Sequence, residues 1–250
     1  MKQFLIIPLG GLGKRFQEAG YKTYKPFLKI SKKTRIIDNI IDNFPKKTHL
    51  IIIGNEKKFK NILLNIKRKN TTFIKIKNHN SGPIFSLFLA KDKIKKIVKD
   101  NKFFISYSDI NWNWNYKMIK KFVITKKIAV FGHKGFHPHL EVDKKSDFFK
   151  SNYKKELIKV SEKKPISRDY KKDNLAIGCY YFNKFQYIEK FFNSKNFNKN
   201  FPKKEIYIIN LLDYCLNNKI KINFFNLEKF VHLGVPSQYE DFLNWKNILN

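Results

Sequence analysis

The stretch Phe4-Leu5-Ile6-Ile7-Pro8-Leu9-Gly10-Gly11-Leu12-Gly13-Lys14-Arg15-Phe16 decides how the chain is read. Its first half is a short apolar run that stops at glycine, the pattern of a buried strand. Its second half puts three of the chain's ten glycines within four residues. Glycines let successive backbone N–H groups close on a phosphate, and the adjoining positive side chains neutralise it. The spacing is not the Gly-Lys-Ser/Thr phosphate loop. It is not the dinucleotide fingerprint either, because Phe16 stands where a third glycine belongs. A tight turn followed by a surface arginine is the simpler alternative.

Outward from that strand, the first half of the chain alternates. Helical spacing over Arg35 to Phe44 is followed by the apolar run Thr48 to Gly54. A helix near Glu56 to Lys67, a strand Thr72 to Lys77 and a helix Pro83 to Val98 come next. A strand Phe103 to Tyr107, a helix Tyr116 to Ile124 and a strand Ile128 to Phe131 complete this half. Such alternation predicts a parallel sheet covered by helices. The second half changes style. Strands at Leu140 to Val142, Glu156 to Ser161 and Leu175 to Phe182 predict an antiparallel extension. Helices near Phe185 to Phe192 and Glu205 to Asn217, a strand Lys219 to Phe225 and a helix Pro236 to Leu249 follow.

Composition sets the bounds. The 250 residues suffice for one large domain with a substantial core. Cys179 and Cys215 cannot form a disulfide framework and suit a reducing compartment. The Phe4 to Leu9 run is too short for a signal-peptide core and no stretch approaches a membrane span, so a cytoplasmic protein is expected. The net charge is +32, from 52 Lys+Arg against 20 Asp+Glu, yet only Arg15, Arg35, Arg68 and Arg168 are arginine. A nucleic-acid footprint is a clustered stripe or a motif, whereas these lysines are spread along the whole chain. No specific nucleic acid is therefore expected as a partner.

Ligands of open α/β sheets bind at the carboxyl ends of the strands. Besides the glycine loop, three segments fall there. Lys25-Pro26 follows close enough for the loop to fold back and set Lys25 beside Arg15. Asn80-Ser-Gly82-Pro83 opens a helix, where a nucleobase or phosphate is favoured, or where there is simply a proline-started helix. Ser106-Tyr-Ser108-Asp109 ends an apolar strand. A carboxylate there suits Mg²⁺, which takes one or two carboxylates plus phosphate oxygens; a turn or capping aspartate is the alternative.

Together these features resemble the nucleotidyltransferases that make nucleotide-activated sugars, the NDP-sugar pyrophosphorylase superfamily. The likeness rests on Gly10-Gly-Leu-Gly-Lys-Arg15 with Lys25-Pro26, Gly82 to Ala90, and Ser108-Asp109 with Trp112 to Trp114. It continues through Glu162-Lys-Lys-Pro-Ile-Ser167, Ile177-Gly-Cys-Tyr-Tyr-Phe182, Glu205-Ile-Tyr-Ile208 and Leu233-Gly-Val-Pro236. The ordered set spans nearly the whole chain. It is most similar to a bacterial subgroup tied to capsule and surface polysaccharide.

The resemblance implies an α/β fold, a Rossmann-like mixed sheet of the nucleotide-diphospho-sugar transferase (GT-A) type with helices on both faces. It implies a single domain over 1–250, with a nucleotide half at about 1–130 and an acceptor half at about 131–250. Leu9, Gly10, Gly11, Gly13, Lys14, Gly82 and Ser108 would hold the nucleotide. Arg15 and Lys25 would contact its phosphates, and Asp109 would bind Mg²⁺. Glu162, with Lys163 or Lys164, and Gly178 would border the sugar phosphate; the block has one lysine more than the usual Glu-Lys-Pro.

Three departures stand out. Lys14 replaces the small hydroxyl residue usual before the arginine. Ile208 occupies the usual place of a second metal-binding aspartate, leaving Glu205 as the nearest carboxylate. His232 replaces a common aspartate two residues before Gly234.

The implied reaction joins an NTP to a sugar 1-phosphate and releases pyrophosphate. The attacking phosphate is already ionised near neutral pH, its second pKa being ~6, so no general base is required. A non-sugar phosphorylated small molecule is an alternative acceptor. An inactive, basic nucleic-acid-binding protein is an alternative function. His137-Pro-His139 lacks a recognisable third metal ligand. Trp112 and Trp114 are expected to pack at the rim, and Cys179 to be a small core residue.

Overall fold

The computed structural model describes residues 2–137, 146–200 and 205–249. The decisive stretch forms strand β1, Phe4–Leu9, and breaks at Gly10. Seven further strands extend the sheet around it: β2 His49–Asn55, β3 Thr71–Ile76, β4 Phe103–Ser106, β6 Ile128–Lys134, β7 Phe148–Ser151, β8 Leu157–Ser161 and β9 Asn174–Phe182. Strand β10, Ile222–Asn226, closes its edge, giving nine strands. A separate small ribbon pairs β5, Ile110–Trp112, with β11, Phe230–His232.

The strand order is β10-β6-β9-β4-β1-β2-β3, with β7 and β8 added beside β9. Pairs β1–β2, β2–β3 and β1–β4 are parallel. Strand β9 runs antiparallel to β4 and β6, so the antiparallel extension is present and the sheet is mixed. Strand β10 nevertheless runs parallel to β6, so the second half is not purely antiparallel.

The apolar runs are continuous because both faces of the sheet are covered. Alternate residues serve opposite faces. Leu5 and Ile7 pack with Leu50 and Ile52 against helix α2, Ile36–Asp42. Phe4 and Ile6 pack with Ile51 and Ile53 against helix α4, Pro83–Val98, and helix α8, Ile208–Asn217. The helices Lys14–Glu18, Phe59–Asn65, Tyr116–Val123, Gln186–Phe192, Lys195–Asn200 and Pro236–Leu249 are α1, α3, α5, α6, α7 and α9. Among the described residues no helix is long and apolar enough to cross a membrane.

Several elements differ from the sequence reading. Helix α8 starts at Ile208, three residues after Glu205, because Glu205–Tyr207 is held extended against Ser81 and Ile84. Strands β5, β7 and β11 and helices α1 and α7 are all six residues or shorter, below the length at which periodicity registers. The strand expected at Leu140 to Val142 lies outside the described residues, as does His139.

Candidate active site

The strand order reverses at β1, which has β2 on one side and β4 on the other. The loops leaving β1 and β4 therefore diverge and leave a crevice at the carboxyl end of the sheet. A cleft of about 610 Å³ lies there. It is lined by 8–16, by Tyr24, Lys25 and Pro26, by His79, Asn80, Gly82, Pro83 and Ser86, and by Tyr107, Ser108 and Asp109. Glu18, Glu205, Tyr207 and Gly234 complete the lining.

The glycine loop turns into α1 through Gly13, whose φ of +73° favours glycine. Gly10 has no room for a side chain: a Cβ there would lie 2.1 Å from Ser86 Oγ and 2.9 Å from His79 Nε2. Those two atoms are themselves hydrogen-bonded at 2.9 Å, and Ser81 N–H donates to His79 Nδ1. Burial lowers the His79 imidazole below its ordinary value, so the ring is neutral at pH 7. Gly82, at φ +82°, precedes α4 and touches the chain at Ile206, where a Cβ would lie 2.6 Å from the carbonyl oxygen. Two backbone bonds, Ile206 N–H to Ser81 and Ile84 N–H to Ile206, fix this contact and bring Glu205 to the cleft.

The cations divide into committed and available ones. Arg35 is spent on Asp38 and Asn65, and Arg68 on the carbonyls of Ile41 and Pro45. Lys14 and Arg15 are exposed and line the cleft. Lys25 reaches across: its Nζ lies 3.0 Å from Asp109 Oδ2. It is delivered by a turn of 3-10 helix, Lys25–Phe27, whose proline sets the first turn. Burial alone would raise the Asp109 carboxyl, but the Lys25 ammonium and a contribution from His232 bring it below its ordinary value. Asp109 is thus a carboxylate at neutral pH.

Among the described residues no three His, Cys, Asp or Glu side chains converge on one point. Glu18, Asp109 and Glu205 all line the cleft; Asp109 is held by Lys25, and the Glu205 carboxylate accepts a hydrogen bond from Tyr207 Oη. A single carboxylate fits Mg²⁺ carried in on phosphate oxygens, the usual mode for this ion.

The residues expected at an acceptor phosphate are gathered less tightly. Glu162, Lys163, Lys164 and Gly178 do not line the cleft. Glu162 accepts from Asn210 at 2.9 Å and stands 3.8 Å from Lys163 Nζ. Lys163 reaches the rim, where its Nζ donates to Tyr207 Oη at 3.2 Å and lies 4.4 Å from that ring's centre. Lys164 is exposed. Gly178, at φ +71°, lets Tyr107 and Ile110 close on β9. Of the two lysines, Lys163 is the one tied to the cleft.

Other singled-out residues are structural. Trp112 is buried, and Trp114 donates to Asn43 O at 2.7 Å amid Phe44, Phe104 and Phe131. Cys179 and Cys215 are buried thiols. His137 stacks on Phe230. Sequence reasoning did not single out Tyr24, Asn55, His79 or Tyr207. His79 adjoins the Asn80-Ser-Gly82-Pro83 segment and Tyr207 lies within Glu205-Ile-Tyr-Ile208, but neither has a signal of its own; Asn55 is one asparagine among many.

No protein-family model matches the chain, and no curated protein does. Solved structures do. A nucleoside-diphosphate-sugar pyrophosphorylase from Vibrio cholerae RC9 superposes with a TM-score of 0.77 at 18% identity, covering 96% of this chain and 99% of that one. The chain shares the fold of the nucleotide-sugar pyrophosphorylases. A UDP-glucose pyrophosphorylase complexed with UDP-glucose gives 0.76 at 15% identity, over 100% of both chains. The inositol-1-phosphate CTP transferase from T. maritima gives 0.73 at 14% identity, over 97% of this chain and 95% of that one. The Rossmann-like mixed sheet with helices on both faces is therefore that of these nucleotidyltransferase structures.

Proposed function

We propose that the chain is an Mg²⁺-dependent nucleotidyltransferase. It would join an NTP to a sugar 1-phosphate, giving a nucleotide-diphospho-sugar and pyrophosphate. The observation that carries this is one crevice, at the reversal of strand order. There a glycine loop, the cations Lys14 and Arg15, which pair with no described carboxylate, and the Lys25–Asp109 pair face each other. The nucleotide half, about 1–130, supplies the loop, Gly82 and Ser108; the acceptor half, about 131–250, brings Glu205 and Gly234 to the cleft and Lys163, beside Glu162, to its rim.

The acceptor phosphate oxygen attacks the α-phosphorus in line, forming the new P–O bond as the bond to the β-phosphate oxygen breaks. Arg15 and Lys25 hold the triphosphate and neutralise charge building on the leaving pyrophosphate. Lys25 already sits on Asp109, so phosphate arriving there meets an ammonium whose position is fixed. Asp109 would hold Mg²⁺, with Glu205 as a further carboxylate of the cleft, and the ion would add neutralisation of the phosphate charge when bound. Lys163 steers the acceptor phosphate to the rim. On the sequence resemblance, the product serves capsule or surface polysaccharide and the enzyme works in the cytoplasm.

A non-sugar phosphorylated alcohol is the second reading. The inositol-1-phosphate CTP transferase, which carries this fold, favours it. Pyrophosphate release that needs NTP, acceptor phosphate and Mg²⁺ together tests the class. Release unaffected by Arg15→Ala and Asp109→Ala would remove the site from the reaction.

A further inference from the structure

Three consecutive carbonyls of the glycine loop are held by two side chains from elsewhere in the chain. Tyr24 Oη shares its proton between Leu9 O at 3.0 Å and Gly11 O at 2.8 Å. The two Asn55 Nδ2 hydrogens reach Gly10 O and Gly11 O, each at 3.2 Å. Asn55 is fully buried at the end of β2, and its orientation is set, because Lys58 N–H donates to its Oδ1 at 2.9 Å. Tyr24 is buried too, which raises its phenol above the ordinary value and leaves it a donor at neutral pH.

A trans peptide is planar, with its C=O and the next residue's N–H pointing in opposite directions. Fixing the carbonyls of Leu9, Gly10 and Gly11 therefore turns the N–H groups of Gly10, Gly11 and Leu12 the other way. All three residues line the cleft, and none of these N–H groups donates to a described protein acceptor. A loop with glycines at three of four positions has no intrinsic reason to hold that arrangement, since glycine has the widest backbone freedom. The order has to come from outside the loop.

We infer that Tyr24 and Asn55 are positioning residues, which hold the glycine loop with its N–H groups already turned to receive a nucleotide. This rests on the proposed function, because it takes the cleft to be a nucleotide site. It also explains why Tyr24 precedes Lys25: one short turn anchors the loop with the first residue and reaches Asp109 with the second.

The test is calorimetric titration of ATP, CTP, GTP, UTP and dTTP with Mg²⁺ into the unaltered protein, Tyr24→Phe and Asn55→Asp. Tyr24→Phe keeps the ring and its packing and loses only the shared proton. Asn55→Asp keeps the shape and the Lys58 contact but turns an acceptor toward two carbonyl oxygens. The best-bound nucleotide should bind about tenfold more weakly to Tyr24→Phe and on the order of a hundredfold more weakly to Asn55→Asp. The Tyr24→Phe melting temperature should fall by no more than about 5 °C, and the acceptor KM should stay unchanged. A structural role alone would lower melting and leave nucleotide affinity intact. Undiminished binding by Tyr24→Phe overturns the inference by itself, even if Asn55→Asp fails to fold. No binding of any nucleotide by the unaltered protein overturns the proposed function and this inference with it.

Discussion

Replacing Asp109 with asparagine keeps the shape of the side chain and removes its charge. Its Oδ2 lies 3.0 Å from Lys25 Nζ, and the Lys25 and Asp109 side chains are 18% and 29% exposed. At an effective dielectric of ~20, charges 3.0 Å apart attract by about 5.5 kcal/mol. Holding two ions partly out of water offsets most of that. The net stability lost is about 1 kcal/mol, between the values of surface and buried pairs, or a melting shift of about 2–4 °C at this chain length. Activity should respond on another scale. Asparagine offers Mg²⁺ no charge, and Lys25 loses the carboxylate that fixes it beside the phosphates. A rate loss on the order of 10³-fold, about 4 kcal/mol, is expected. Pyrophosphate release at saturating substrates and thermal melting, run on the same preparation, give both quantities. If the variant keeps more than about a tenth of the rate, or melts more than about 10 °C lower, Asp109 is a structural residue and the reasoning fails.

Gly82→Ala should be strongly destabilising, by about 3 kcal/mol or more, because a Cβ at φ +82° would meet the Ile206 carbonyl oxygen at 2.6 Å; melting within about 3 °C of the unaltered protein would contradict the contact. Asp147 gives a pH signature. Burial raises its carboxyl to about 6, against a weaker downward pull from the Lys163 N–H. The folded state then holds an extra proton between about pH 4 and 6, so stability falls by up to about 3 kcal/mol as pH rises through that window. Asp147→Asn should flatten that fall in a pH series of melts, and a series unchanged from the unaltered protein would show that Asp147 is not responsible. Lys163→Met should raise the acceptor KM about tenfold and leave the NTP KM alone, whereas Lys164→Met should change either by less than about threefold. Equal effects of the two would sink the assignment of Lys163 to the rim.

Much of this was legible in the chain because the informative residues are ones the lysine-rich composition rarely supplies. The glycine cluster at Gly10–Gly13, Arg15, and the Gly82-Pro83 helix start all stood out, and all meet in one cleft. Long apolar runs such as Leu50 to Ile53 marked strands that both faces of the sheet bury. Asp109 could be placed because an apolar strand led straight to it. What stayed hidden depends on long-range packing. Asn55 differs from other asparagines only in being buried under a loop 45 residues away. Glu205 looked helical because its neighbours are apolar, but the backbone bonds from Ile206 to Ser81 and Ile84 hold it extended. Three-residue strands such as β5 and β11 form because each pairs with the other, which neither segment announces alone. The +32 charge was the least informative quantity, since two of the four arginines serve only intramolecular partners.

The central claim is that one cleft transfers a nucleotidyl group to a phosphate. The most direct measurement is pyrophosphate release from a panel of NTPs crossed with sugar 1-phosphates and phosphorylated alcohols, with and without Mg²⁺, using unaltered protein beside Arg15→Ala. The account predicts release for at least one pairing, dependent on both substrates and Mg²⁺, with the Arg15→Ala rate lower by about 10²-fold or more. No release from any pairing, together with steeply salt-dependent binding to single- or double-stranded nucleic acid, would contradict it and make the fold a scaffold for a basic binding protein.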